Sequence, residues 1–230
     1  MSTPSKTVDL FQGRVSGVLD YYEELLVAVR GKVRESALKS MLAEQTVMSM
    51  AVLWEGFTND ILLVHAAADS DTYFNGLKVR IRQSLLGGKF AGAVTSIKFS
   101  FPIDPTKERM SKIIDPSGWN ITASDSDALA KRANELLAAN RAKRFSLDIE
   151  DRAFIDYLVR LRNYLSHRSQ KSRAELLTSI SAMQGQQPNA DLVGAITNKV
   201  GAYLKLPGSG GQTRAAIIGA RLVKVSENLR

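Results

Sequence analysis

The stretch VMSMAVLWEGFTNDILLVHAAA, residues 47–68, is the most apolar part of this 230-residue chain. It lies within a predicted long helix that becomes apolar on almost every side after Thr46, which is typical of a helix surrounded by other helices. Three polar residues, Glu55, Asn59 and Asp60, interrupt the stretch and would be costly in lipid. We therefore expect the central helix of a soluble bundle, with no membrane contact.

Helical periodicity dominates the rest of the chain, because apolar residues recur at steps of three and four. Residues 77–82 and 96–101 also alternate like strands, and we predict helix for the first and a short strand for the second. Asp104 is the predicted N-cap of one helix, and Ser124 or Ser126 that of the next. The predicted helices span residues 8–29, 33–67, 73–86, 105–114, 126–143, 171–183 and 191–204. A further predicted helix is capped by Asp148 and carries Phe154 to Leu165. The last predicted helix has Ile218, Leu222, Val225 and Leu229 on one face. The sequence thus predicts an all-α fold class.

Composition limits the chemistry that the chain can perform. The absence of cysteine excludes disulfides, thiol catalysis and the usual zinc clusters. Two histidines far apart leave too few ligands for a His-based metal site, so we expect no metal and no cofactor. A formal net charge of +8 favours contact with a polyanion, with a solvated basic face as the alternative. Residues 1–7 lack the features of a secretory signal, so a cytoplasmic location is the default expectation.

The sequence Arg162-Asn163-Tyr164-Leu165-Ser166-His167 places several polar, chemically capable side chains within two helical turns. On a helix Asn163 and His167 share a face, and Arg162 flanks them. Histidine can move a proton near neutral pH, and arginine can bind a phosphate through two hydrogen bonds, so the group suits phosphodiester chemistry. In the structural alternative, His167 is a cation at a helix C-terminus and Arg162 forms a surface ion pair.

Two segments resemble a known superfamily. Arg162-Asn163-x-x-x-His167, late in a helix and preceded by Leu-Val-Arg-Leu, resembles the Arg-x4-6-His signature of the HEPN superfamily. Residues 53–60, LWEGFTND, resemble the aromatic, acidic helix of several bacterial HEPN groups. The resemblance covers about residues 43–68 and 149–168.

This resemblance implies a HEPN-like helical bundle in residues 1–184. A helical and irregular insertion would occupy about residues 69–145, and residues 185–230 would form a C-terminal helical extension. Many HEPN proteins are metal-independent endoribonucleases of toxin–antitoxin or anti-phage defence systems. In them the ribose 2′-hydroxyl attacks the adjacent phosphate, and the products carry a 2′,3′-cyclic phosphate and a 5′-hydroxyl. The matching catalytic residues are Arg162 and His167.

The same resemblance implies a homodimer with the active site across the interface, and an antitoxin or another defence protein as a possible partner. Cleavage of this kind benefits from one group that accepts a proton and another that donates one, and two chains supply two copies of His167. His65, on another helix in an apolar setting, is expected to be structural. RNA is the expected substrate.

Four further residues are candidate supporting groups. Asn163 could orient His167 or contact a phosphate, and Glu55 could position Arg162. Because a buried carboxylate is costly unless paired, Glu55 is expected either to face a cleft or to meet an arginine from another helix. Arg168 and Lys171 would attract RNA without regard to its sequence.

Other functions fit parts of the sequence. A non-catalytic HEPN-like module that binds RNA, a nucleotide or a partner protein is the main alternative. A helical DNA-binding regulator is a weaker one, because no basic recognition helix follows a helix-turn pattern. Residues 208–213, GSGGQT, are similar to a phosphate-binding loop but lack its lysine and follow a predicted helix, so we expect a flexible linker there.

Overall fold

The computed structural model describes residues 3–88, 96–117, 123–184 and 199–230. Within these ranges the chain forms ten α-helices and no strand, with one isolated bridge between Pro207 and Thr213, so the all-α prediction is confirmed. The helices are α1 (Pro4–Ala28), α2 (Glu35–Ala68), α3 (Ser70–Leu86), α4 (Lys107–Ile114), α5 (Ser126–Leu136), α6 (Ala139–Ala142), α7 (Ile149–His167), α8 (Gln170–Gln184), α9 (Val200–Leu204) and α10 (Arg214–Glu227). Residues 143–145 and 209–211 form short 3₁₀ turns.

Helix α2 is the centre of the bundle, as its all-round apolar character predicted. It contacts α1, α3, α4, α5, α7, α9 and α10. By length and composition alone α2 could cross a membrane, but 56% of its most apolar window is buried inside the bundle. That burial is typical of the core helix of a soluble protein. Its buried apolar side chains include Val47, Met50, Ala51, Trp54, Phe57, Ile61, Leu62, Leu63 and Ala66.

An aromatic cluster joins α1 to α2. The ring of Phe11 stacks on that of Phe57 with centroids 4.3 Å apart, and it meets Trp54 edge-on at 5.9 Å. Offset and edge-to-face pairs of this kind stabilise a core beyond the area that they bury. Phe11 lies on the buried face of α1 with Val8, Val15 and Tyr22, so this face packs on the apolar stretch of α2.

The last helix, α10, has its partner within the chain. Ile218, Leu222 and Val225 are buried, and α10 packs on α1 and α2. Gly219 allows the close approach, because a Cβ at this position would lie 2.8 Å from Leu19 Cδ1 and 2.9 Å from Met50 Sδ. Residues 214–229 therefore share the core of the helices that precede residue 184.

Two predicted caps and one predicted strand are wrong. Thr106, not Asp104, caps α4, and its Oγ1 accepts a hydrogen bond from the Arg109 N–H. Asp125, not either neighbouring serine, caps α5, which ends at Leu136 and not near residue 143, because the backbone becomes extended there. Residues 96–101 have no strand partner among the described residues, and their alternation reflects packing of alternate phenylalanines on α3.

The glycine-rich segment after α9, predicted to be a flexible linker, forms a closed turn. The Gly208 N–H donates to the Gln212 carbonyl at 2.8 Å, and the Arg214 N–H donates to the Leu206 carbonyl at 3.0 Å. Positive φ angles at Gly210 and Gly211 make this turn possible. The sequence also predicts a core contact for Trp119 and a loop at residues 185–189. Both lie outside the described residues, as does the first part of the predicted helix 191–204.

His65 is a core residue, as predicted, and it holds the end of the chain. Its side chain is 1% exposed. Arg141 can only donate, so Nδ1 of His65 accepts from Arg141 Nη1 at 3.2 Å, and the Nε2–H donates to the Leu229 carbonyl at 3.0 Å. Burial lowers the pKa of His65, and the charges of Arg141 and Arg144 lower it further, although the bond to Leu229 opposes them.

We expect the fold to lose stability in mild acid because of His65. The folded state resists protonation of this imidazole, so the unfolded chain binds the extra proton first, and the free energy of unfolding falls as the pH drops below about 6.5. Urea unfolding at several pH values should show this fall in the wild type and in His167→Gln, but not in His65→Gln. An equal fall in all three proteins would contradict the assignment.

Candidate functional site

Helix α7 begins and ends at residues whose chemistry explains its length. Asp148 caps its first turn, because the side chain accepts from the Asp151 N–H at 2.8 Å. The helix stops when Arg168 adopts a left-handed conformation with φ 49°, and the Arg168 N–H donates to the Tyr164 carbonyl at 2.8 Å. The polar motif therefore occupies the last two turns of α7, as the sequence predicted.

The core side of α7 sets the direction of each motif side chain. Leu161 and Tyr164 are buried against the bundle. Arg162 and Asn163 are half-buried on the flank that faces α2, whereas His167 is exposed at the end of the helix. The motif thus combines a partly sheltered guanidinium with an imidazole that solvent and other molecules can reach.

Arg162 is the arginine that Glu55 was expected to meet. Its Nη2 lies 3.3 Å from Glu55 Oε2 on α2, and its Nη1 donates to Asn163 Oδ1 at 3.1 Å. The side chains of Arg162 and Glu55 are 31% and 27% exposed, so solvent screens the pair only in part. The Nε of Arg162 is buried and has no hydrogen-bond partner among the described residues.

The hydrogen bond described for Asn163 is to Arg162 and not to His167. Asn163 therefore orients the guanidinium, while His167 stands one turn further along the same helix face. His167 is also the last residue of α7, where a cation is favoured by the exposed carbonyl groups. Its position alone therefore fits both a structural and a chemical role.

Of the two predicted RNA-attracting residues, Arg168 is bound to the protein and Lys171 is exposed. Arg168 Nη2 forms an ion pair with Glu44 Oε2 at 2.6 Å, and its guanidinium lies 5.3 Å from the Tyr164 ring centroid. Lys171 lies in the first turn of α8 with its side chain in solvent. Lys171 is thus the freer of the two for an external anion.

Glu44 is a residue of this region that the sequence reasoning missed. Besides Arg168, its Oε1 accepts from the Gly201 N–H at 2.8 Å, so it joins α7, α2 and α9. Gly201 has no room for a side chain, because a Cβ would collide with the Ser40 carbonyl. The one available signal was a carboxylate just before the apolar stretch that starts at Val47, and it does not reveal a partner at residue 168 or 201.

An uncharged stripe on α2 runs beside the motif. It consists of side chains that point away from the bundle at helical spacing, and Met41 and Val52 are each 53% exposed. Ser166 of the motif contacts Met48, which borders the stripe, through Oγ and Sδ at 4.0 Å. We call this surface the α2 stripe, and it comprises Met41, Gln45, Ser49, Val52 and Gly56.

Gly56 lies in the α2 stripe, and no contact with the described residues requires a glycine at this position. A Cβ there would meet nothing within 4 Å. Glycine in a helix interior costs about 0.5–1 kcal/mol relative to alanine. An alanine would therefore fit this position, and the described structure does not use the space that the glycine leaves.

Two cavities of similar volume lie away from the motif. One of about 580 Å³ is lined by residues such as Tyr157, Tyr203 and Arg214, and one of about 600 Å³ lies between the start of α1 and the start of α4. Tyr157 is a core residue with 4% exposure, and burial raises its pKa. Arg162 and His167 line neither cavity.

No family model, curated protein or solved structure matches the chain. The HEPN resemblance therefore rests on the motif and on residues 53–60. Among the described residues, no group of three His, Asp or Glu side chains could hold a metal ion. The residues around Arg162 offer hydrogen-bond donors and one imidazole, which is a set suited to an anionic group.

A double-mutant cycle should measure the link between Arg162 and Glu55. We expect the double variant Glu55→Gln and Arg162→Gln to lose less stability than the sum of the losses in the two single variants. The coupling in the free energy of unfolding should be about 1 kcal/mol, since solvent screens the pair only in part. Urea unfolding at low and high salt is the measurement, and the coupling should shrink as salt rises. The exposed pair Arg132–Glu135 on α5 is the matched control and should show a much smaller coupling. Additive effects at Glu55 and Arg162 would contradict a direct link.

Proposed function

We propose that the chain is a metal-independent endoribonuclease of the HEPN type. The observation that carries this proposal is the arrangement at the end of α7, where Glu55 and Asn163 orient Arg162 while His167 remains exposed one turn away. A fixed guanidinium can stabilise charge on a phosphate, and an exposed imidazole can transfer a proton.

The reaction follows from these two groups. One imidazole accepts the proton of the ribose 2′-hydroxyl while O2′ bonds to the adjacent phosphorus, and the P–O5′ bond breaks. A second imidazole donates a proton to the leaving 5′-oxygen. Arg162 stabilises the extra negative charge on the phosphate oxygens through the second hydrogens of Nη1 and Nη2. The products are a 2′,3′-cyclic phosphate and a 5′-hydroxyl.

We infer that the two imidazoles come from two copies of the chain. The chain contains two histidines, and His65 is buried with both ring nitrogens bonded, so it cannot reach a substrate. The α2 stripe supports this inference, because it is uncharged, exposed and adjacent to the motif. The open space at Gly56 suits the close approach of a second α2.

A non-catalytic HEPN-like module is the second candidate. The engagement of Arg162 by Glu55 and Asn163 favours it, since the same bonds would serve a purely structural ion pair. Such a module would bind RNA, a nucleotide or a partner protein without changing it. The role in toxin–antitoxin or anti-phage defence, and an antitoxin as a partner, come from the resemblance.

Substitution of the motif should separate the two candidates. With a chelator present, we expect the wild type to cleave RNA and His167→Ala to be slower by about a hundredfold or more, because it lacks the proton-transfer group. Arg162→Lys should also be slow, since lysine keeps the charge but loses the planar pair of donors. Mass spectrometry should detect the 2′,3′-cyclic phosphate.

Arg132→Gln on α5 is the matched control for a lost surface cation and should retain the wild-type rate. Circular dichroism should verify that each variant is folded. Cleavage that survives in both His167→Ala and Arg162→Lys would refute the catalytic assignment. Binding of RNA by the wild type without cleavage would establish the second candidate instead.

A charge in the α2 stripe should break the proposed homodimer. We expect the wild type to sediment with twice the 25.2 kDa mass of the chain, and Val52→Asp to sediment as a monomer without nuclease activity, because the new carboxylate would be desolvated between two chains. Val27→Asp on α1 is the matched control, since Val27 is 59% exposed. A wild-type monomer that cleaves RNA would contradict the shared site.

A further inference from the structure

Three phenylalanine rings form a ladder on the surface beside α3. Phe101 stacks on Phe74 with centroids 4.6 Å apart and planes 10° apart, and Phe99 continues the series at 5.9 Å and 10°. Phe74 is buried on α3, whereas Phe99 and Phe101 are half-buried on the irregular segment 96–101. Phe101 thus lies between the other two rings and joins this segment to α3. We call these three residues the α3 ladder.

Two cations of α3 lie on the α3 ladder. Lys78 Nζ is 5.5 Å from the Phe101 centroid, and Arg82 Cζ is 5.7 Å from the Phe99 centroid. Phe74, Lys78 and Arg82 follow one another at steps of four, so they share one face of α3. In the described residues neither cation has a carboxylate partner, and the bond described for Lys78 is to the Asn75 amide.

The sequence around the α3 ladder has a one-sided charge. Residues 78–103 contain five Lys or Arg and no Asp or Glu. Asp71 and Asp104 line a cavity of about 290 Å³ whose lining also includes Lys78 and all three rings of the ladder, but not Arg82. An anionic chain would therefore contact Phe99 from its Arg82 side and avoid the side of the two carboxylates.

Aromatic faces with adjacent cations are the combination that binds single-stranded nucleic acids. Bases stack on exposed rings, and Lys and Arg attract the phosphates between them. A double helix hides its base faces, so such a surface selects unpaired strands. Exposed aliphatic residues such as Val79 and Ile103 are also present, but they do not account for three parallel rings with cations on them.

We propose that the α3 ladder, with Lys78 and Arg82, binds an unpaired stretch of RNA by stacking a base on Phe99. This inference deepens the proposed ribonuclease function and rests on RNA being the substrate. The rise along α2 from Glu55 to the start of α3 is about 20 Å, so the ladder would hold a part of the strand several nucleotides from the bond that is cut. It would act as a binding site separate from the catalytic groups.

The test is a binding measurement that cleavage cannot disturb. A fluorescent, 2′-O-methylated RNA of about 12 nucleotides has no 2′-hydroxyl to attack and is long enough for one such site. Fluorescence anisotropy should show that Phe99→Leu binds about tenfold more weakly than the wild type, because leucine keeps an apolar side chain but has no ring face. Phe99→Tyr keeps the ring and should bind as the wild type does.

Two further variants complete the design. The double variant Lys78→Gln and Arg82→Gln should lower the slope of log affinity against log salt by about 1.4, which is about 0.7 for each lost phosphate contact. Tyr21→Leu is the matched aromatic control, since Tyr21 is 62% exposed on α1, and it should leave the affinity unchanged. Thermal melting should show that all variants remain folded.

The outcomes separate this inference from the proposed function. Equal affinity of Phe99→Leu and the wild type would overturn the RNA site and leave the α3 ladder to another partner, such as an acidic protein. Equal dependence on Phe99 for duplex RNA would also overturn it. Ladder-dependent binding without any cleavage of unmodified RNA would retain the site and refute the nuclease. Cleavage that requires His167, together with binding that does not depend on Phe99, would retain the nuclease and refute the RNA site at the α3 ladder.

Discussion

The burial of α2 on nearly all sides is the constraint on which the rest of the structure depends. A charged side chain on such a helix is costly to bury without a partner. Four of the polar residues of α2 bond to other parts of the chain, and these bonds link the neighbouring elements to it. The pairs are Glu44 with Arg168 and the Gly201 N–H, Glu55 with Arg162, Asp60 with Lys107, and His65 with Arg141 and the Leu229 carbonyl.

Because Glu55 on α2 needs a partner, Arg162 has two roles in the candidate site. Arg162 satisfies Glu55 and so belongs to the framework, and the same bond holds its guanidinium in one orientation. A catalytic arginine needs such orientation, since positioned donors lose less freedom when a transition state forms. The structural and chemical interpretations of Arg162 are therefore compatible. His167, which is exposed, is the residue that separates a nuclease from a binding module.

Local signals predicted much of the fold. The apolar stretch of α2, the Asp148 cap and the position of the motif near the end of α7 are confirmed, because each depends on neighbours in sequence. The alternation in residues 96–101 misled the prediction, because packing of alternate phenylalanines on a helix has the same period as a strand. The α5 cap was misassigned between adjacent Ser and Asp residues, which all favour that role.

Contacts between distant residues could not be predicted in the same way. Glu55 was expected to face a cleft or to meet an arginine, and Arg162 was named as a candidate without any local signal for a pair across 107 residues. The triple role of Glu44 was invisible for the same reason, since one of its partners is a backbone N–H. Sequence spacing likewise could not reveal that Phe74 and Phe101 stack, because the two residues are 27 positions apart in the chain.

Arg168 ends α7 through its backbone conformation and also makes an ion pair through its side chain. Its left-handed conformation is one that glycine adopts at little cost and that a longer side chain adopts only with strain. At this position a glycine would relax the backbone and lose the ion pair to Glu44, which also holds α9. The end of the motif helix and a segment more than thirty residues later are thus bonded to the same carboxylate, that of Glu44. Replacement of residue 168 by the glycine that its backbone prefers would remove one of these two bonds and leave the bond to the Gly201 N–H.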